Sequence, residues 1–125
     1  MEESQINKSN FNNIFLDNIN CPNVYYYVAV NKEKVIGFVS VHIQKLLHHA
    51  YLIAEIQELI VTKQFQKKGL GKLLFEKAKE VATNRQCLQL EVCCNQKRFN
   101  SHNFYKRQGM TNNHYKFCLS LIKND

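Results

Sequence analysis

Hydrophobic and polar positions alternate along this chain in two rhythms, and the switches between them lay out its elements. Residues 3–18 carry Ile6, Phe11, Ile14, Phe15 and Leu16 among polar neighbours, the spacing of an amphipathic helix. Cys21-Pro22-Asn23 interrupts that pattern. Residues 24–30 are β-branched and aromatic, residues 31–34 are turn-like, and residues 35–47 return to strand character, which predicts a hairpin. Gly37 inside the second arm marks a bulge or a close backbone approach. A further strand is expected over residues 51–61, followed by a polar loop, 62–68. Between residues 69 and 84, Leu70, Leu73, Leu74, Ala78, Val81 and Ala82 form one stripe at helical period, read as core. Residues 87–94 alternate as a strand, residues 98–108 read as a helix stopped by Gly109, and residues 114–122 as a last strand.

A strand, a helix and a strand in succession make a βαβ unit, which prefers a parallel pairing and a right-handed crossover. The fold class is therefore α/β: a mixed α+β sheet with an antiparallel N-terminal meander and a βαβ unit after it. No repeat or linker divides the chain, so residues 1–125 are read as one domain. With 45% hydrophobic and 22% charged residues, 125 residues suit a soluble globular protein. No apolar run is long enough for a transmembrane helix, and no apolar signal segment opens the chain. Five cysteines, an odd number with no Cys-x-x-Cys, fit reduced thiols in a cytoplasmic protein rather than a zinc site. His48 and His49 are adjacent and cannot both face one site on a strand, so no metal is expected there.

Charge is unevenly spread. Residues 1–61 balance to −2 and residues 62–125 to +9, within a net charge of +7. This asymmetry suits an anionic partner: nucleic acid, a phosphorylated cofactor or an acidic substrate. A basic nucleic-acid-binding module is disfavoured, because the lysines cluster around one loop and aromatic residues are poorly interleaved with them. That loop is the most informative segment. Val61-Thr-Lys-Gln-Phe-Gln66-Lys67-Lys68-Gly69-Leu70-Gly71-Lys72 joins a strand to the first turn of a helix, where free backbone N–H groups and the helix dipole favour anionic oxygens. It is neither a Walker loop, since Leu73 follows Lys72, nor a complete dinucleotide fingerprint, since Leu74 stands in the third glycine position.

Gln66-x-x-Gly69-x-Gly71 after a strand ending Leu59-Ile60-Val61 resembles motif A of the GCN5-related N-acetyltransferases, and Phe104-Tyr105-Lys-Arg-Gln-Gly109-Met110 resembles a second signature of that family. Leu46-Leu47-His48-His49, Ala54-Glu55-Ile56-Gln57-Glu58, Asn95-Gln-Lys97-Arg98 and His102-Asn-Phe104-Tyr105 are similar to its bacterial aminoalkylphosphonate N-acetyltransferase branch. The resemblance covers residues 24–122 and implies an acetyl-CoA-dependent transfer to a small amine in a ternary complex. Members normally begin with a strand and a long helix that this chain is expected to lack, which leaves a coenzyme-binding but inactive protein, or a homodimer that completes the sheet, as alternatives.

The resemblance also implies roles. Leu59, Ile60 and Val61 would run beside the pantetheine arm, and Gln66, Lys67, Lys68, Gly69, Leu70, Gly71 and Lys72 would cradle the pyrophosphate. Glu55 is expected to be the general base, with Glu58 on the opposite face unless a bulge intervenes. Tyr105 would protonate the leaving thiolate. Arg98, seven residues before Tyr105 on one helix face, is expected near the coenzyme or a substrate phosphonate, whose oxygens suit its planar fork. His102 lies between them, and His48 and His49 complete the candidate acceptor contacts.

Overall fold

The computed structural model of the chain describes residues 6–94 and 98–122. Residues 1–92 and 93–125 form two separately packed units. The first opens with helix α1 (Lys8–Ile19), capped by Asn7, whose side-chain oxygen accepts from the Asn10 N–H at 3.0 Å. The expected helix began at residue 3; residues 3–5 lie outside the described residues. Strands β1 (Val24–Asn31) and β2 (Lys34–Leu46) follow as the expected hairpin, joined through Lys32 and Glu33, both with positive φ. β3 (Tyr51–Val61) pairs antiparallel with β2, and a single 3-10 turn (Lys63–Phe65) leads to α2 (Leu70–Asn84). β4 (Gln89–Val92) then pairs parallel with β3, giving the order β1-β2-β3-β4 with the expected meander and βαβ unit.

Alternation along β2 separates two faces. Val39, Val41 and Ile43 point one way and are buried, as are Ala54 and Ile56 opposite Ile43 and Val41 on β3. Leu74, Phe75, Ala78, Val81 and Ala82 of α2 are buried with them. Two details differ from the stripe read in the sequence: Leu73 is 68% exposed, and Phe75 is buried. At about 100° per residue, Leu73 lies roughly 140° from the centre of the buried arc and Phe75 about 60° from it, so geometry rather than hydrophobicity decides. Gly37 shows both features expected of it. The β1–β2 register shifts beside it, between Ala29 and Val30, and a Cβ there would lie 3.0 Å from Leu74 Cδ1.

The other face of the sheet carries Phe38, Ser40 and His42 of β2. α1 packs on this side: Phe15 stacks on Tyr26 at 5.7 Å, Asn18 donates to the Tyr26 hydroxyl at 2.7 Å, and Tyr26 meets Phe38 edge-on at 5.4 Å. At the far end of α2, the Arg85 guanidinium donates to Pro22 O at 3.1 Å, and to the Tyr25 hydroxyl and Asn23 Oδ1 at 2.8 Å each. This fork ties the helix end to the start of β1. The fourth strand is shorter than residues 87–94, because the Cys87 N–H turns back to Ala82 O and Leu88 reaches Leu52 O before pairing begins.

The second unit contains α3 (Phe99–Arg107), ended as expected at Gly109, with φ +92. The expected last strand is not formed: described residues 110–122 make neither helix nor paired strand. Tyr115, Phe117, Leu119 and Leu121 do alternate, but each is 81–95% exposed. Alternation supplies an apolar side, whereas a strand also needs a neighbour for its N–H and C=O groups, and none pairs with this segment among the described residues.

Candidate active site

The basic loop is built by the end of β3 and the start of α2. Gln66 folds its side-chain amide back to Val61 O at 3.0 Å, closing the loop onto the strand. Lys67 and Gly69 have φ of +62 and +83, so two left-handed residues bracket Lys68 in the turn. Gly69 is the N-cap of α2 and has no side chain to occupy the first-turn N–H groups. The space about it is open: a Cβ at Gly69 would meet nothing within 4 Å. Lys67, Lys68 and Lys72 are exposed around this turn, the Lys68 ammonium lying 5.4 Å from the Phe65 ring. A phosphorylated group fits this donor set by charge and by free N–H groups.

Leu59, Ile60 and Val61 lead into that turn. β2 pairs with β3 along residues 51–61, but β4 pairs only with residues 53–56. Among the described residues, the β4-side edge of β3 is therefore unpaired over residues 57–61. It runs directly into the loop.

The register between β2 and β3 places the carboxylates. Ser40 faces Glu58 and Val41 faces Ile56, so Gln57 is an extra residue on β3, a β-bulge. Of the two arrangements expected for Glu58, the bulged one is formed. Three residues apart, Glu55 and Glu58 would point to opposite faces, and the extra residue returns both to the face of Ser40 and His42. Glu55 lies opposite His42 on one side and Glu91 of β4 on the other, and accepts from the Gln57 amide at 2.6 Å. Glu58 accepts from the Ser40 hydroxyl, while its own N–H donates to Ser40 Oγ at 2.9 Å.

No sequence motif marks Ser40 or His42. The signal available is the alternation Val39-Ser40-Val41-His42-Ile43, which puts a polar row on one side of a strand whose other side is aliphatic.

His48 and His49 sit in the turn between β2 and β3 with ring centroids 4.2 Å apart, at the end of β3 remote from the basic loop. About 13 Å of strand separates Tyr51 from Glu55. Among the described residues no group of three His, Cys, Asp or Glu side chains is placed to hold a metal ion, and no helix is long and apolar enough to cross a membrane.

The second unit holds the remaining candidates. Arg98 is the N-cap of α3 rather than a helical residue, and the His102 N–H bonds to its carbonyl at 3.1 Å. Tyr105 is half-buried, with the Phe104 ring edge-on at 5.2 Å. Burial pushes its pKa up to about 12, with Cys94 adding to the rise and Arg98 opposing it. The phenol is therefore protonated through the neutral range. Residues 95–97, part of the Asn95–Arg98 motif, lie outside the described residues.

A family model described as the acetyltransferase (GNAT) family matches residues 2–110. Over 119 residues the chain is 34% identical to the aminoalkylphosphonate N-acetyltransferase of Salmonella typhimurium, covering 95% of this chain and 77% of that protein. Two solved structures share the fold. A transcriptional regulator from Bacillus halodurans C-125 has a TM-score of 0.85 at 21% identity, covering 90% of this chain and 76% of the other. An aminoglycoside acetyltransferase from an uncultured soil metagenomic sample has a TM-score of 0.82 at 20% identity, covering 98% and 80%. The turn into α2, the bulged β3 and these matches along most of the sequence agree, and the chain belongs to the GNAT family of acetyltransferases as an N-acetyltransferase.

Proposed function

We propose that the chain transfers the acetyl group of acetyl-CoA to the amine of a small aminoalkylphosphonate. The observation that carries the donor side is the β3 edge at residues 57–61, unpaired among the described residues, which leads through the basic loop to the uncapped first turn of α2. Leu59, Ile60 and Val61 would hold the extended arm, and Gln66 to Lys72 the phosphates. The acceptor class is supported by the 34% identical relative. Bound acetyl-CoA supplies an activated acyl carbon, whose C–S bond is replaced by a C–N bond to the amine.

The chain's residues supply the proton steps. Glu58 holds the incoming ammonium, and Glu55, on the same face, takes its proton through a water to leave the neutral nucleophile. Tyr105, protonated at working pH, gives its proton to the departing sulphur and is reprotonated by the second proton that the nitrogen sheds as the amide forms. Arg98 offers its fork to anionic oxygens of the coenzyme, and His102 lies one helical turn further on. On the acceptor side, Glu58 shares the face of Glu55, while His48 and His49 stand at the end of β3 remote from the basic loop.

Thermal unfolding with acetyl-CoA tests the donor half. A ligand at about 100 times its dissociation constant adds roughly 2.7 kcal/mol, several degrees in Tm. No shift at millimolar coenzyme refutes it. Product mass then compares aminomethylphosphonate with methylamine. Equal turnover of the two refutes phosphonate recognition.

A further inference from the structure

Ser40 is the one polar side chain fully buried among the described residues, at 0% exposure. It lies between Val39 and Val41 on a strand whose neighbouring positions are core, where an apolar residue would ordinarily be favoured. Its hydroxyl makes two bonds to one residue: it accepts from the Glu58 N–H at 2.9 Å and donates to the Glu58 carboxylate. A hydroxyl has one proton and two lone pairs, so the donated bond commits its only proton to that carboxylate. Both bonds form where the register breaks, directly across from the bulge that brings Glu58 onto the face of Glu55. Tyr26, opposite Ser40 on β1 and held between Phe15 and Phe38, flanks the same row.

We propose that Ser40 is a positioning residue for acceptor binding: it clamps the bulge through the Glu58 N–H and aims the Glu58 carboxylate at the incoming ammonium. The inference rests on the acetyl-transfer reading above and assigns a role that the reading does not require. A hydroxyl serving the bulge alone would need only the bond from the N–H. The second bond fixes the carboxylate at the one point on β3 where a regular strand would turn it away.

Steady-state kinetics of the full chain with aminomethylphosphonate and acetyl-CoA test this. Ser40→Ala raises the KM for the amine about 10-fold, the order expected for losing a hydrogen bond to a charged group, with kcat within about 3-fold. KM for acetyl-CoA stays within about 2-fold, and Ser40→Thr, which keeps the hydroxyl, recovers most of the loss. In a double-mutant cycle, Ser40→Ala adds less than about 2-fold to Glu58→Gln, because it acts through that carboxylate. Additive effects, a parallel rise in both KM values, or no rescue by threonine overturn the proposal. So does a normal amine KM in Ser40→Ala beside an impaired Glu58→Gln, which leaves the acetyl-transfer reading standing. An unmodified chain that acetylates no aminomethylphosphonate overturns both.

Discussion

Adding one carbon at Gly37 tests how α2 seats on the sheet. The new Cβ would stand 3.0 Å from Leu74 Cδ1, 3.3 Å from Leu70 Cδ2 and 3.5 Å from Ala29 Cβ. Carbon atoms rest about 3.5–4.0 Å apart, so Leu74 must retreat by about half an ångström and Leu70 by a few tenths. Leu74 is only 5% exposed and has little room to yield, so part of the shift passes to the helix. Overpacking of this kind costs about 1–3 kcal/mol, and the lower chain entropy of alanine in the unfolded state offsets roughly 0.4–1 kcal/mol. The net loss for Gly37→Ala is about 1–2 kcal/mol, or roughly 3–8 °C in Tm. Leu70 opens α2 immediately after Gly69, so acetyl-CoA affinity is expected to fall with stability. Gly69→Ala is the control. It meets no atom within 4 Å but must hold φ +83, a conformation costing a residue with a Cβ about 1–2 kcal/mol. Thermal melts followed by circular dichroism, with and without coenzyme, read both variants. A Gly37→Ala protein melting at or above the parent temperature would refute the close approach of α2 to β2.

The other expectations concern single groups. Tyr105→Phe should slow turnover about 10- to 100-fold with little change in coenzyme binding, read by initial rates; an unchanged rate removes Tyr105 from the chemistry. Its raised pKa favours the neutral phenol in the folded state. That stabilisation is fully present below about pH 10 and is lost as pH climbs from 10 toward 12, so Tyr105→Phe should flatten the alkaline fall in urea-unfolding free energy. Arg85→Ala, losing bonds to Pro22, Tyr25 and Asn23, should cost about 1–3 kcal/mol in urea denaturation. Arg85→Lys should recover less than half of this, since an ammonium cannot reproduce the fork. Replacing Lys32-Glu33 by Asn-Gly should raise stability by about 1 kcal/mol, because both positions adopt positive φ in the hairpin turn; an unchanged Tm contradicts that geometry.

Local periodicity carried most of the fold. The meander, the helix after the basic loop and the parallel return are each specified by residues close in sequence, and they appear within one to three residues of where the pattern places them. The departures are those that depend on a partner distant in sequence. Whether residues 114–122 join a sheet depends on a neighbour, and the pattern of Tyr115, Phe117, Leu119 and Leu121 is silent on that. Leu73 and Phe75 differ in burial through their angle around α2, which the identity of either residue does not report. At the site, Gly69 was legible because a turn requiring left-handed backbone leaves a glycine mark, whereas Lys67, equally left-handed, leaves none. The pairing of Glu55 with Glu58 was not: it turns on the extra Gln57, and a bulge is visible only once the opposing strand is known. Ser40 lay hidden for the same reason, since its meaning comes from the residue across the sheet.

The pairing of β3 with β4 has a kinetic consequence. The contacts of β1, β2 and β3 close over tight turns, whereas β4 reaches β3 only after the crossover of residues 62–88, and then matches just Ile53, Ala54, Glu55 and Ile56. Closing that long loop costs chain entropy before four residue pairs return it. The meander should form early and open last, with β4 as the late and weakly protected member. Hydrogen exchange should then follow a gradient across the sheet, with the amides shared by β2 and β3 outlasting those of Leu90 and Val92. Glu55 thus sits on the boundary between the most durable pairing in the protein and its most easily opened one.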